Sequence, residues 1–275
     1  MKYHALKKKA FLAAAVFTGT TMVIPSMCLA ASDKDIQTYT DTDFAMDTVV
    51  SETLYTTGDD INSKLTAVLT DVETNLLSWT NEKSQIYKVN ADSGKDTEIS
   101  DELSGYLKRL LKIAEDSDGA FDPTIGKLIR LWDIGGENQK IPEEAEIKNV
   151  LKDSGYQKIF LDGNTVHMEE SCSLDLGAAG KGIGCDLILK ELETKKDVTA
   201  ALMNLGGSSV MTYGSKPDGS SWNVAVTDPR AENEDDYLGV VALNGTEFLS
   251  TSGDYEKYFI ENAVRVHLLE SKALQ

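Results

Sequence analysis

The sequence predicts an α+β fold, a single domain with helices packed on a mainly antiparallel sheet. Three observations carry that expectation. Amphipathic helical stripes crowd the first half of the chain, short strands separated by Gly, Asn or Pro crowd the second half, and no internal repeat or low-complexity tract points to another architecture. The 275 residues are 41% hydrophobic and 26% charged, a globular composition long enough to bury a core without disulfide or metal staples.

The first thirty residues read as a secretory signal. Lys2, Lys7, Lys8 and Lys9 precede an apolar run from Ala10 to Ile24, Pro25 ends it, and Cys28-Leu29-Ala30 supplies the small-residue stretch. That run is too short to span a bilayer comfortably. An exported protein is therefore expected, on the periplasmic or extracellular face of the cell membrane. Two processing routes stay open: cleavage after Ala30 or Ala31, or acylation of Cys28 into a lipoprotein anchor, for which Met27 is a poor preceding residue. Residues 31–43 are polar and read as a tether, leaving 44–275 as the folded domain.

Within that domain, Phe44 to Thr57 is rich in Thr, Val and Tyr and reads as a strand. Asp59 and Asp60 then cap a helix whose apolar positions 61, 65, 68, 69, 72 and 76 form one stripe ending at Leu77. A second helix starts at Ser100, places Leu103, Leu107, Leu110, Leu111 and Ala114 on one face, and stops at Asp118-Gly119. Ile125 to Trp132 forms a short helix, and another begins at Pro142, a favourable first helical position, and ends before Gly155. Ile159 to Leu161, the turn Asp162-Gly163-Asn164 and Thr165 to Met168 form a hairpin. Ser173 to Leu176 reads as a strand entering a glycine-rich turn, with a helix around Cys185 to Leu192. Ala200 to Leu205, Trp222 to Val226, Leu238 to Leu243 and Glu247 to Leu249 are the remaining strands. The acidic run Glu232 to Asp236 reads as a solvated loop. Cys172 and Cys185 could pair in an oxidising compartment, or remain two small buried thiols.

Charge narrows the partners. Lys+Arg number 27 and Asp+Glu 45, a net −18, and loss of the four signal lysines leaves 23 basic residues against 45 acidic ones, or −22. So acidic a surface repels nucleic acid and anionic headgroups, so no nucleic-acid partner is expected and membrane association would need the lipid anchor. An anionic nucleotide would need local help from a metal ion or backbone N–H groups.

Four segments combine glycine, carboxylate and hydroxyl groups beyond what packing requires. In Asp118-Gly119-Ala120-Phe121-Asp122-Pro123-Thr124, the proline holds Asp122 extended at a helix mouth, where it either caps the helix or serves a ligand. In Asp175-Leu176-Gly177-Ala178-Ala179-Gly180-Lys181-Gly182-Ile183-Gly184, the glycines either let backbone N–H groups approach an anion or permit close helix packing. The spacing matches neither a P-loop nor a dinucleotide fingerprint. Asp175 lies in an apolar stretch and needs a partner, a lysine or a metal being the usual one. Asn204-Leu205-Gly206-Gly207-Ser208 and Ser250-Thr251-Ser252-Gly253-Asp254-Tyr255 are turns following strands. With no Ser-His-Asp spacing and no histidine pair, the sequence fits serine-hydrolase and metallo-hydrolase chemistries poorly.

Together with Met46-Asp47-Thr48, with Ile125-Gly126-Lys127-Leu128 and with Leu131-Trp132, these segments follow the order and spacing of the ApbE family, which this chain resembles from about Phe44 to Phe259. The resemblance implies an exported, Mg²⁺-dependent FAD:protein FMN transferase, which cleaves FAD, attaches FMN through a phosphoester to a threonine of an acceptor flavoprotein and releases AMP. It implies that Met46, Ala120, Phe121, Asp122, Asp175, Lys181 and His267 contact FAD, and that the Ala178 carbonyl is a magnesium ligand. It assigns no catalytic group. The family's aromatic contact after the first helix falls between Trp79 and Thr80 and is assigned to neither. Asp47 stands where the family has glycine. The family's later Asp and hydroxyl metal ligands have no counterpart before Gln275, so the resemblance implies a chain lacking the C-terminal part of that site. An exported FAD-binding protein without transfer, and an FAD pyrophosphate hydrolase giving FMN and AMP, are the alternatives.

Overall fold

In a computed structural model, which describes residues 35–230, 236–253, 258–261 and 264–266, the chain is built around a five-stranded antiparallel sheet. Its strands are β1 (Gln37–Ala45), β2 (Thr48–Thr56), β6 (Val198–Leu205), β7 (Ser209–Gly214) and β10 (Glu247–Ser250), in the order β1-β2-β6-β7-β10. Between β2 and β6 come α1 (Asn62–Asp71), continued by a π-helical turn Val72–Leu77, then α2 (Gln85–Ala91), β3 (Asp96–Glu98), α3 (Asp101–Asp116), α4 (Gly126–Trp132), α5 (Glu144–Leu151), β4 (Ile159–Asp162), β5 (Thr165–Met168) and α6 (Gly177–Glu193). A three-stranded sheet β3-β5-β4 and two pairs, β8 (Trp222–Thr227) with β9 (Tyr237–Leu243) and β11 (Phe259–Glu261) with β12 (Val264–Val266), complete it. Helices on mainly antiparallel sheet is the expected class.

Several local expectations needed correction. The polar segment 31–43 is not all tether: Gln37 to Asp43 lie in β1, each residue opposite a partner in β2. The single strand expected from Phe44 to Thr57 is broken by a two-residue turn, because Met46 and Asp47 both take positive φ (54° and 57°), the geometry of a tight primed hairpin. Ser173 to Leu176 forms no named strand: among the described residues it makes one parallel bridge, Ile125 to Ser173, Leu176 turns into the helix with ψ 14°, and the expected glycine-rich turn is the first two turns of α6. Pro142 precedes the helix rather than opening it; α5 starts at Glu144, where Glu143 and Glu146 form a capping box. Other signals hold. Ser100 Oγ accepts the Leu103 N–H at 3.2 Å to cap α3; at α1, by contrast, the N-cap is Ile61 without a side-chain cap, and Asp60 only accepts the Asn62 N–H at 2.9 Å from the residue before it. At the far end of α3 the Gly119 N–H reaches the Ala114 carbonyl at 2.8 Å, a glycine stop with φ +77°. Cys172 and Cys185 are both buried and unpaired, their thiols pushed up to about 11 and about 12 by burial. Cys28, the signal residues, most of the acidic loop and His267 lie outside the described residues.

The core has two main clusters. One lies between the five-stranded sheet, α1 and α6, and holds Leu54, Leu65, Leu69, Ile188 and Leu192; the other gathers around α3 and the small sheet and holds Leu103, Leu107, Val166, Met168 and Leu174. Inside the first, Glu52 is a carboxyl on the buried face of β2, 2% exposed between Val50 and Leu54. Its Oε1 accepts from Thr66 Oγ1 at 2.7 Å, while Oε2 and both amide atoms of the buried Asn62 have no partner among the described residues. Burial pushes Glu52 up to about 7; the Thr66 bond opposes this, and Asp41, Asp43 and Asp60 add to it.

Because the folded-state value lies above the unfolded one, the unfolded chain ionises first and stability is lost as pH rises from about 4.5 to about 7. Glu52→Gln keeps the shape and removes the charge. Thermal unfolding of the wild-type chain should therefore give a lower Tm at pH 8 than at pH 5, and the glutamine variant should recover on the order of 2 kcal/mol at pH 8 with no gain at pH 4. An equal gain at both pH values would show that the carboxyl is not the titrating group.

Candidate functional site

The site is organised by the start of α6. Asp175 Oδ1 accepts the Gly177 N–H at 2.8 Å, turning the extended segment into the helix, and the flanking Leu174 and Leu176 are buried. The helix then lies close against the sheet and α1. A Cβ on Gly184 would meet Leu69 Cδ2 at 2.7 Å and Met46 Sδ at 3.1 Å, and one on Gly180 would meet Met46 Cε at 3.4 Å. On another face Gly182 has nothing within 4 Å and borders a cavity of about 510 Å³. The two readings of the glycine-rich segment thus divide by position. Gly180 and Gly184 permit close packing, and Gly182 leaves room beside the cavity.

Lys181 bridges α6 to the turn between β6 and β7. Its Nζ donates to the Leu205 carbonyl at 3.0 Å and to Ser208 Oγ at 2.7 Å. Asn204 Oδ1 accepts the Gly207 N–H at 2.8 Å within that turn, and the Gly206 N–H reaches the Val49 carbonyl at 2.8 Å. A Cβ on Gly206 would fall 1.9 Å from Thr48 Oγ1, so this turn can seat on the start of β2 only with glycine there. The Thr251 N–H closes the chain of contacts on the Ser208 carbonyl at 2.8 Å. Ala178, Lys181, Ser208 and Thr251 all line the cavity.

The facing wall is α3, which the sequence reading left without a role. Tyr106 and Arg109 line the cavity from it; the Arg109 guanidinium lies 4.8 Å from the Tyr106 ring centroid and 3.4 Å from Asp186. Their spacing puts both on one helix face, but only the folded chain shows that α6 stands opposite. Cys185 also borders the cavity, and with its thiol pushed up to about 12 by burial it is not a nucleophile at neutral pH.

The remaining expected contacts sit elsewhere. Met46 packs its side chain on Gly180 and Gly184 and donates its N–H to Glu73 Oε2 at 2.8 Å. Phe121 packs against the α3 core cluster. Asp122 Oδ1 accepts from the Thr124 N–H at 2.8 Å and Thr124 Oγ1 at 2.6 Å, and Oδ2 accepts from the Tyr156 N–H at 3.2 Å, so its carboxylate organises the entry to α4. Neither Met46 nor Ala120, Phe121 and Asp122 lines the cavity, although Asp175 N–H bonds to the Pro123 carbonyl at 2.9 Å and so joins their segment to the α6 start. Among the described residues no three His, Cys, Asp or Glu side chains converge, and the one carboxylate lining the cavity is Asp186. These residues do not form a magnesium site by themselves.

The ApbE family model matches residues 46–275. The chain belongs to the ApbE family. It is 31% identical over 208 residues to the FAD:protein FMN transferase of Treponema pallidum, covering 70% of this chain and 57% of that one, and 27% identical over 226 residues to that of Haemophilus influenzae, covering 78% and 64%. It therefore spans less than two thirds of the length of either relative. Among solved structures, the ApbE protein of Thermotoga maritima superposes with a TM-score of 0.77 at 30% identity, covering 86% of this chain and 78% of that one; the apo flavinyl transferase ApbE of Pseudomonas stutzeri gives 0.73 at 26%, covering 87% and 76%.

In this ApbE-family chain, the two helix glycines should respond oppositely to alanine. Gly182→Ala adds helix propensity without a contact and should raise stability by roughly 0.5–1 kcal/mol. Gly184→Ala pushes into Leu69 and Met46 and should lower it by about 1–3 kcal/mol. Chemical denaturation of the two variants measures both, and equal effects would refute the division of roles.

Proposed function

We propose that the chain is a flavin transferase that moves FMN from FAD to a threonine hydroxyl of a partner flavoprotein and releases AMP. The junction at the α6 start supports this reading most directly: Lys181 holds Ser208, Ser208 holds Thr251, and all three border one cavity with the first turn of a 17-residue helix. Helix N–H groups and a fixed ammonium favour an anionic diphosphate in a chain of net charge −18. In the transfer, the threonine Oγ bonds to the FMN phosphorus, the bond from that phosphorus to the bridging oxygen breaks, AMP leaves with the electron pair, and the hydroxyl proton passes to a base.

Mg²⁺ belongs to the proposal through the family resemblance, as a cation that neutralises diphosphate charge. The Ala178 carbonyl is the ligand the described residues would contribute, and no step is assigned to the metal. FAD contact by Met46, Ala120, Phe121, Asp122, Asp175 and Lys181 is likewise part of the proposal, as is export to the periplasmic or extracellular face, with or without a lipid on Cys28. A second reading is flavin binding without transfer.

The test is incubation of the chain with FAD, Mg²⁺ and a threonine-bearing acceptor flavoprotein, followed by denaturing electrophoresis for covalent flavin fluorescence. Fluorescence on the acceptor with AMP release is the expected result; FAD binding indifferent to Mg²⁺ and chelator, with no labelled acceptor, selects the second reading. Asp175→Ala should raise the FAD Kd by tenfold or more, about 1.4 kcal/mol, while the lost bond to Gly177 costs about 0.5–2 kcal/mol of stability. A lowered Tm with unchanged FAD affinity would confine Asp175 to starting α6.

A further inference from the structure

Leu174 is fully buried, so its N–H and C=O are cut off from water, and among the described residues it belongs to no strand that would pair them. The side chain of Asn90, on α2, takes both. Its Oδ1 accepts the Leu174 N–H at 2.7 Å, and its Nδ2 donates to the Leu174 carbonyl at 2.9 Å. A primary amide offers an acceptor and a donor in one plane, the pair that a neighbouring residue offers in a β-ladder. On either side of Leu174 the chain is tied to the entry of α4 instead: the Gly126 N–H reaches the Ser173 carbonyl at 3.2 Å, and the Asp175 N–H the Pro123 carbonyl at 2.9 Å. Arg130 Nη2 adds a bond to Ser173 Oγ at 2.6 Å, and Arg130 and Asn90 border a second cavity of about 410 Å³.

The reach of Asn90 is set from both ends. Ile86 and Val89, on the same short helix, are buried in the core cluster that also holds Leu174. A leucine at position 90 would leave both Leu174 groups orphaned, an aspartate would set a carboxylate against the carbonyl, and a glutamine would push the amide past them. Asp175 follows at once, and its Oδ1 accepts the Gly177 N–H that starts α6. Where Leu174 sits therefore decides where Asp175 and the first N–H groups of α6 point, and about 1 Å of misplacement can cost on the order of a hundredfold in rate.

We propose that Asn90 is a positioning residue for the flavin site: its amide stands in for a strand beside Leu174 and so fixes Asp175 and the first turn of α6 against FAD. The assignment rests on the transferase reading for FAD as the ligand and for Asp175 as its contact.

The same helix supplies a control. Gln85 makes a matching pair of bonds at the start of α3, its Oε1 accepting the Ser100 N–H at 2.7 Å and its Nε2 donating to Ser100 Oγ at 3.1 Å, and it lines neither of the two cavities. FAD titration and thermal unfolding of the whole chain compare wild type, Asn90→Ala, Asn90→Asp, Gln85→Ala, Asp175→Ala and the Asp175→Ala double variants with each Asn90 change. Every single change should lower Tm. Both Asn90 variants should raise the FAD Kd by roughly tenfold, whereas Gln85→Ala should leave it unchanged, and each double variant should stay near the larger single effect rather than reach about a hundredfold, because Asn90 acts through Asp175. Should Asn90→Ala fail to fold, Asn90→Asp, which keeps the shape and the acceptor for the Leu174 N–H, carries the same comparisons. An unchanged Kd in the Asn90 variants, an equal rise in Gln85→Ala, or a double variant that shows the product of its two single effects overturns the proposal, as does a wild-type chain that binds no FAD. A wild-type chain that binds FAD with this dependence on Asn90 but transfers no FMN rejects the transferase reading and leaves the positioning role standing; transfer that proceeds with unchanged Kd in the Asn90 variants rejects the positioning role alone.

Discussion

The close seating of α6 on the sheet is the constraint from which the site follows. Gly180 and Gly184 let Met46 and Leu69 reach the helix backbone, and a side chain at Gly184 would have to displace both. That approach fixes the height of α6 above β6 and β7, and hence the reach of Lys181 to the Leu205 carbonyl and Ser208 Oγ. Interiors are packed too densely for such a helix to slide by a fraction of a turn without opening voids. The start of α6 is therefore placed by apolar packing one or two turns away from it, while Asp175 fixes where the first turn begins.

Several residues expected to meet a ligand are occupied with structure. Asp122 spends three acceptor bonds on Thr124 and Tyr156, and Lys181 donates across elements to the Leu205 carbonyl and Ser208 Oγ. This does not oppose a binding role. A charged side chain already held in place reaches its bound geometry without losing rotamer freedom at the moment of binding, which favours electrostatic recognition. Met46 differs from these, because its side chain fills the interface between the hairpin turn and α6, and its tight positive-φ backbone is what a strand reading of Phe44 to Thr57 could not reveal.

How much was legible depended on range. Caps, stops and hairpins are local, so Ser100, Gly119 and the Gly163-Asn164 turn could be read from the sequence itself. The glycine-rich stretch could not: four glycines in eight residues oppose a helix by propensity, and only the long-range fit of Met46 and Leu69 makes the helical form the better one. The α2 helix and β3 were missed for the related reason that both are short and owe their form to neighbours. In the site, Ala178 and Lys181 were legible because they lie in the motif, whereas Arg109 and Arg130 are single cations on helices whose facing partners come from distant parts of the chain.

Those two arginines are placed differently in a strongly acidic chain. Bulk charge of −18 acts against any diphosphate at long range, but salt screens such repulsion beyond about 8–10 Å, and local geometry then decides. Arg109 is answered by Asp186 at 3.4 Å, so an anion in the first cavity must compete with a carboxylate for it. Arg130 has a hydroxyl and an indole instead, partners that orient the guanidinium without cancelling its charge. Asp175 lies between the two regions, bound to the first turn of α6 on one side and felt by Arg130 on the other.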